Sequence, residues 1–195
     1  MPGDQALARP PVWSAAVLVV LMTAGAVVDL RLKRVPNWLT YPAIVIALVG
    51  HTLTGGLRGG DAGIGLLGAV TGLAVGFLPL GICWLAGGIG GGDAKAAGAI
   101  GALCGWRFAL AALFYGLIVA ALMAVVVMIQ KRIVAQTLRR VWHMLCLLLM
   151  RSRPADPAAA GSPTVPFAVA LCFGAYCALI ESATGIGLGR LFAGG

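Results

Sequence analysis

The sequence predicts an all-α, polytopic membrane protein of about six transmembrane helices, with its N-terminus outside and one interfacial helix on the cytoplasmic side. Three observations lead there. Only 10% of the 195 residues are charged while 61% are hydrophobic, where soluble domains carry about 25% charge; mean hydropathy is +0.99. The apolar residues form runs near the roughly 20 that cross a bilayer core as a helix, the one open-chain structure that satisfies its own backbone there. Basic residues gather on alternate connections, as cytoplasmic loops do. The alternating strands of a membrane barrel are absent, and the length suits one compact bundle, a single domain over 1–195.

The first apolar run is 12–28. A secretory signal would carry positive charge before the run; here only Arg9 precedes it, offset by Asp4, while Arg31, Lys33 and Arg34 follow. That asymmetry holds the next loop in the cytoplasm. Val35-Pro36 breaks the helix, and Pro36 suits the first turn of the next one, about 38–53. A Gly-rich turn over 54–60 leads to a third span at 64–86. Five glycines in 87–93 then interrupt the hydrophobicity. A fourth, short span is expected at 94–105, a turn at Trp106-Arg107, and a fifth span at 108–129. The segment 131–163 is basic and cytoplasmic; within it, 141–150 is apolar but too short to cross, an interfacial helix. The last span is about 165–182.

This topology places Lys33, Lys95, Lys131, Arg31, Arg34, Arg132, Arg139, Arg140, Arg151 and Arg153 inside, and Arg9, Arg58, Arg107 and Arg190 outside. The net charge of +8 is thereby explained by orientation and by contact with anionic lipid, without nucleic acid. The five cysteines contain no CxxC pair, so zinc and thioredoxin-like chemistry are unsupported and no metal or other cofactor is implied. His51 and His143 are far apart in sequence, and Glu181 near the outer end of the last span is read as exposed or paired with Arg190.

Of six acidic residues, Asp4, Asp61 and Asp156 fall in polar segments. Asp29 and Asp93 differ: each ends an apolar helix, and the topology brings both to the cytoplasmic boundary. An acid at membrane depth is a functional candidate by default. Structural readings stand beside this one. Asp29 could pair with Arg31 or Arg34, and Asp93 could cap the fourth helix. The run from Gly87 to Gly92 could serve close packing or turns, or could loosen the chain beside Asp93 so that an extended peptide can pair with it.

The segment from Asp29 through Val35-Pro36-Asn37-Trp38-Leu39-Thr40 resembles the first motif of the type IV prepilin peptidases, an aspartate ahead of a basic stretch and a Pro-Asn. Gly90-Gly91-Gly92-Asp93-Ala94-Lys95 resembles that family's GxGD-x-K motif, whose GxGD core is shared with presenilins. Pro163-Thr164-Val165-Pro166-Phe167 resembles the proline-led start of its last helix. A lone GxGD is weak; D-x6-P-N and GxGD-x-K in this order on one membrane face are specific. The likeness runs from about residue 12 to 183. The paired CxxC region of the larger, bifunctional members is missing, so the chain resembles the short, peptidase-only branch of the tight-adherence (Flp) type, without N-methyltransferase activity.

What the resemblance implies is an aspartic endopeptidase of a bacterial inner membrane. Its substrate would be a prepilin or pseudopilin, with a short basic leader before a Gly and a hydrophobic helix after it. Pilus assembly machinery is a further possible partner. Asp29 and Asp93 would share a proton and hold the attacking water, since repulsion and poor solvation disfavour two charges in one site. Pro36 and Asn37 would shape the loop and Asn37 reach the site; Lys95 would tune the pair, contact substrate or anchor topology; Gly90, Gly91 and Gly92 would lend backbone mobility. Two rival classes remain: a small proton- or cation-coupled transporter and a non-enzymatic secretion-assembly subunit.

Overall fold

The computed structural model describes residues 7, 9–32, 36–59, 64–87, 89–132 and 167–185. These form six helices: α1 (Val12–Leu32), α2 (Asn37–Gly55), α3 (Gly65–Leu85), α4 (Gly91–Cys104), α5 (Trp106–Gln130) and α6 (Phe167–Thr184). All the described secondary structure is helical, and every helix but α4 is long and apolar enough to cross a membrane. The chain is a polytopic membrane protein. It divides into two compact units, Met1–Val119 with Pro166–Gly195, and Ala120–Val165. The second contributes the last turns of α5, and the expected interfacial helix at 141–150 lies outside the described residues.

Within the first unit, side-chain links tie the helix ends together in a consistent order. At one end, here called proximal, α1 and α3 finish and α2, α4 and α6 begin. Asp29 near the end of α1 meets Ala168 at the start of α6, and Asn37 at the start of α2 meets Lys95 in the opening turns of α4. At the distal end, Arg9 ahead of α1 meets the last carbonyls of α6, and His51 near the end of α2 meets Leu103 near the end of α4.

Helix α4 occupies the centre. Its 14 residues span about 21 Å, short of a hydrocarbon core of about 30 Å. Ala94 and every residue from Ala96 to Leu103 are buried, and α1, α2, α3 and α6 all touch it. The neighbours, rather than lipid, therefore form its surroundings, and a short helix suffices. Small residues make this possible. A Cβ placed on Gly72 of α3 would lie 2.0 Å from the Gly101 carbonyl oxygen, and one on Gly101 would lie 1.9 Å from that of Gly72. Gly76 and Ala97 repeat the approach one turn along. In a bilayer such backbone proximity supplies the dispersion contacts that hydrophobicity cannot. Gly116 of α5 and Gly174 of α6 make a second contact of this kind.

Three boundaries differ from the sequence expectation. Helix α1 runs on to Leu32, so Asp29 sits inside its final turns rather than after it; Leu30, Arg31 and Leu32 are good helix formers, and Arg31 favours the negative C-terminal end. Helix α4 begins at Gly91 rather than Ala94, with Gly90 at its N-cap. The turn expected at Trp106-Arg107 shrinks to Gly105 alone, whose φ of +87° glycine adopts at no steric cost, so Trp106 already belongs to α5.

Replacing Gly72 or Gly101 by Val drives a side chain into backbone. Each variant is expected to lose about 1–3 kcal/mol or more, read as a lower thermal unfolding midpoint in detergent. Gly56→Ala, where an added Cβ meets nothing within 4 Å, carries only the strain of its positive φ and should fall less.

Candidate active site

Asp29 and Asp93 reach the proximal end on different helices. Asp29 is buried, and its Oδ2 accepts a hydrogen bond of 3.2 Å from the backbone N–H of Ala168. That N–H belongs to the first turn of α6, where backbone donors have no partner within the helix. Asp29 thus satisfies one of them and lies at the positive end of the α6 dipole. The alternative reading pairs Asp29 with Arg31 or Arg34; Arg34 lies outside the described residues, and Arg31 is turned away. Residues two apart on a helix do not share a face, and Arg31 is exposed while the carboxylate turns inward.

Asp93 is half-buried in the first turn of α4. Gly90 holds the N-cap position, so Asp93 is not the cap itself, but its carboxylate also sits at a positive helix end. A Cβ on Gly90 would come 3.3 Å from Asp93 Oδ2, and one on Gly91 would come 3.0 Å from the indole nitrogen of Trp84. Gly90 and Gly91 therefore leave room for the carboxylate and for Trp84, while Gly91 and Gly92 form helical turn rather than loop. Glycine is tolerated at these positions because the N-terminal turn is stabilised by the acid within it.

The two acids come to the same end of the bundle on helices that pack against each other, Asp29 in the final turns of α1 and Asp93 in the first turn of α4. Each lies one turn from the wall of a narrow apolar pocket among α1, α4 and α6. That wall includes Ala26, one turn before Asp29, Ala96, one turn after Asp93, and Ala168, the residue bonded to Asp29.

Lys95 and Asn37 join the two sequence motifs. Lys95 Nζ donates a 2.9 Å hydrogen bond to Asn37 Oδ1 and lies 5.0 Å from the centre of the Tyr41 ring. Asn37 and Tyr41 are one turn apart on α2, so Lys95 rests against a single face of that helix. Pro36 is the N-cap of α2 in extended conformation (φ −77°, ψ 147°), which starts the helix at Asn37. Lys95 is therefore occupied as a link between α4 and α2.

Other polar residues turn out to be structural. His51 is fully buried at the distal end, its Nε2–H donating to the Leu103 carbonyl at 2.9 Å, with its ring 4.7 Å from that of Trp13. Glu181 accepts a 2.6 Å hydrogen bond from the Tyr115 hydroxyl, and Arg190 lies outside the described residues. Sequence reasoning does not single out the Ala168 N–H, Tyr41 or Trp84. A free N–H at a helix start is a general expectation, but which carboxylate it meets depends on packing. The one-turn spacing of Asn37 and Tyr41 is a usable signal for a shared face.

Comparison with curated proteins and with solved structures finds no match. A family model does match, over residues 16–125, that of the type IV leader peptidase family. The match takes in Asp29, Pro36, Asn37, the glycines from 90 to 92, Asp93 and Lys95. The chain belongs to the type IV leader peptidase family.

Proposed function

We propose that this peptidase is a membrane aspartic endopeptidase of the GxGD type, lacking N-methyltransferase activity, that uses Asp29 and Asp93 to remove the leader of Flp-like prepilins. The observation that carries the proposal is the convergence of these two carboxyls at one end of the bundle, one from the final turns of α1 and one from the first turn of α4, two helices that pack against each other. One carboxylate, ionised, takes a proton from a water as its oxygen bonds to the scissile carbonyl carbon. The other, protonated, first supports the developing oxyanion. When the C–N bond breaks, the amide nitrogen leaves with a proton from the pair, and an acid and a free amine result. The low-polarity surroundings favour one shared proton over two charges.

The charge of the basic connections supports a proximal end at the cytoplasmic face of a bacterial inner membrane. A prepilin would present its basic leader to water at that face and lay its hydrophobic helix along the spans. Pro36 and the Asn37–Lys95 link hold α2 against α4 and so position Asp93; Gly90 and Gly91 keep the site open to a peptide backbone.

Asp29→Asn and Asp93→Asn should each lower leader removal by about 10²–10⁴-fold or more, the range of general acid–base catalysis. The readout is the gel shift of a co-expressed prepilin. The amide introduced by Asp29→Asn keeps an oxygen for the Ala168 N–H, so insertion and folding are expected to persist. Normal processing by either variant contradicts the assignment. Asn37→Ala and Lys95→Met should each reduce cleavage by roughly three- to tenfold, and the double variant should be no worse than the poorer single, as one charge-assisted hydrogen bond requires. Additive losses would mean that the two residues act separately.

A further inference from the structure

The opening of α4 has few side chains of its own to hold it. Gly90 is the N-cap, Gly91 and Gly92 begin the first turn, and Asp93 and the small Ala94 follow. Glycine offers nothing to pack and loses more conformational freedom in a helix than any other residue. The close backbone contacts with α3 lie farther along, at Ala97 and Gly101, and the buried His51 joins α2 to α4 only at Leu103, near the distal end. Lys95 is the first long side chain of α4, and it reaches α2. What it meets there bears directly on where the turn carrying Asp93 sits.

It meets two uncharged groups. Its Nζ donates to Asn37 Oδ1 at 2.9 Å and lies over the Tyr41 ring, 5.0 Å from the centre, inside the roughly 6 Å over which a ring face attracts a cation. A lysine stem is flexible, and a single hydrogen bond leaves the ammonium free to swing about its acceptor. The ring supplies a second contact, one turn along the same face of α2. Tyr41 is itself 50% exposed, so it serves the cation from the surface rather than filling the core. A tyrosine at a membrane boundary can also anchor its helix among the lipid headgroups, a role independent of Lys95.

We propose that Tyr41 is a positioning residue for the reaction: with Asn37 it forms a two-point seat for the Lys95 ammonium, and that seat fixes the turn of α4 that bears Asp93. The proposal rests on Asp93 being one of the reacting carboxyls.

The test measures kcat and KM for leader removal from a purified prepilin, using the full-length protein in detergent, per molecule folded as judged from its thermal unfolding transition. Tyr41→Phe keeps the ring face and should leave both constants within about twofold. Tyr41→Leu should lower kcat by about two- to fivefold, the worth of an exposed cation–π contact, with KM within about twofold. Tyr41→Met, equally without a ring, replaces it should the Leu variant fold poorly. In a Lys95→Met background, Tyr41→Leu should cost nothing further, because the seat has lost its cation. The same loss in that background, as headgroup anchoring requires, overturns the proposal. So does a Phe variant as slow as Leu, an unaltered kcat in the Leu variant, or a loss confined to KM. Asp93→Asn runs alongside. If it still cleaves, the catalytic reading itself fails; if it is inactive while Tyr41→Leu matches the unaltered protein, only the role of Tyr41 falls.

Discussion

Two carboxylates each held at the positive end of a helix are the arrangement on which the proximal end depends. Asp93 lies within the first turn of α4, and Asp29 is bonded to the first turn of α6. A buried acid away from such donors would be costly in a bundle this apolar. Here each carboxyl sits at a helix start, where N–H groups without helical partners favour the charge that the pair carries. The cost of burying the acids and the cost of starting two helices inside the membrane protein offset each other. The same placement brings both acids to one end of the packed helices α1 and α4, each one turn from the wall of the apolar pocket.

The far ends of these two helices are also completed by side chains. His51 donates to the Leu103 carbonyl near the end of α4, and Arg9 donates to the Ser182 and Ala183 carbonyls at the end of α6. The helices that frame the acids are thus supported at both termini. Helix α4 needs this most, because its 14 residues are too few to span a hydrocarbon core and four neighbours enclose it. Its position is fixed by glycine contacts with α3 in which no side chain intervenes. A rigid centre of this kind is what allows Asp93 to meet a partner borne by another helix.

Much of this is legible in the residues. The apolar runs, the break at Pro36 and the two motifs around Asp29 and Asp93 locate the helices and the candidate acids, because run length and proline chemistry are local. The start of α4 is not legible: three glycines read as an interruption, yet in the structure they form an N-cap and a first turn, since glycine's modest helix penalty is outweighed by close packing that only tertiary structure provides. The partner of Asp29 is not legible either. A neighbouring arginine in sequence is the obvious choice, whereas the Ala168 N–H lies 139 residues away. Sequence leaves Lys95 open among several readings, and its contact with Asn37 and Tyr41 depends on how α2 and α4 pack.

Proximity of positions 29 and 93 is the most direct test of the whole account. With the five native cysteines replaced, Asp29→Cys and Asp93→Cys would be combined and a protease site inserted between α2 and α3. A short bifunctional thiol reagent applied to membranes should then keep the two fragments together after cleavage, as a His51→Cys, Asp93→Cys pair should not. Fragments that separate although both thiols have been modified would place the two acids apart and contradict a shared catalytic centre.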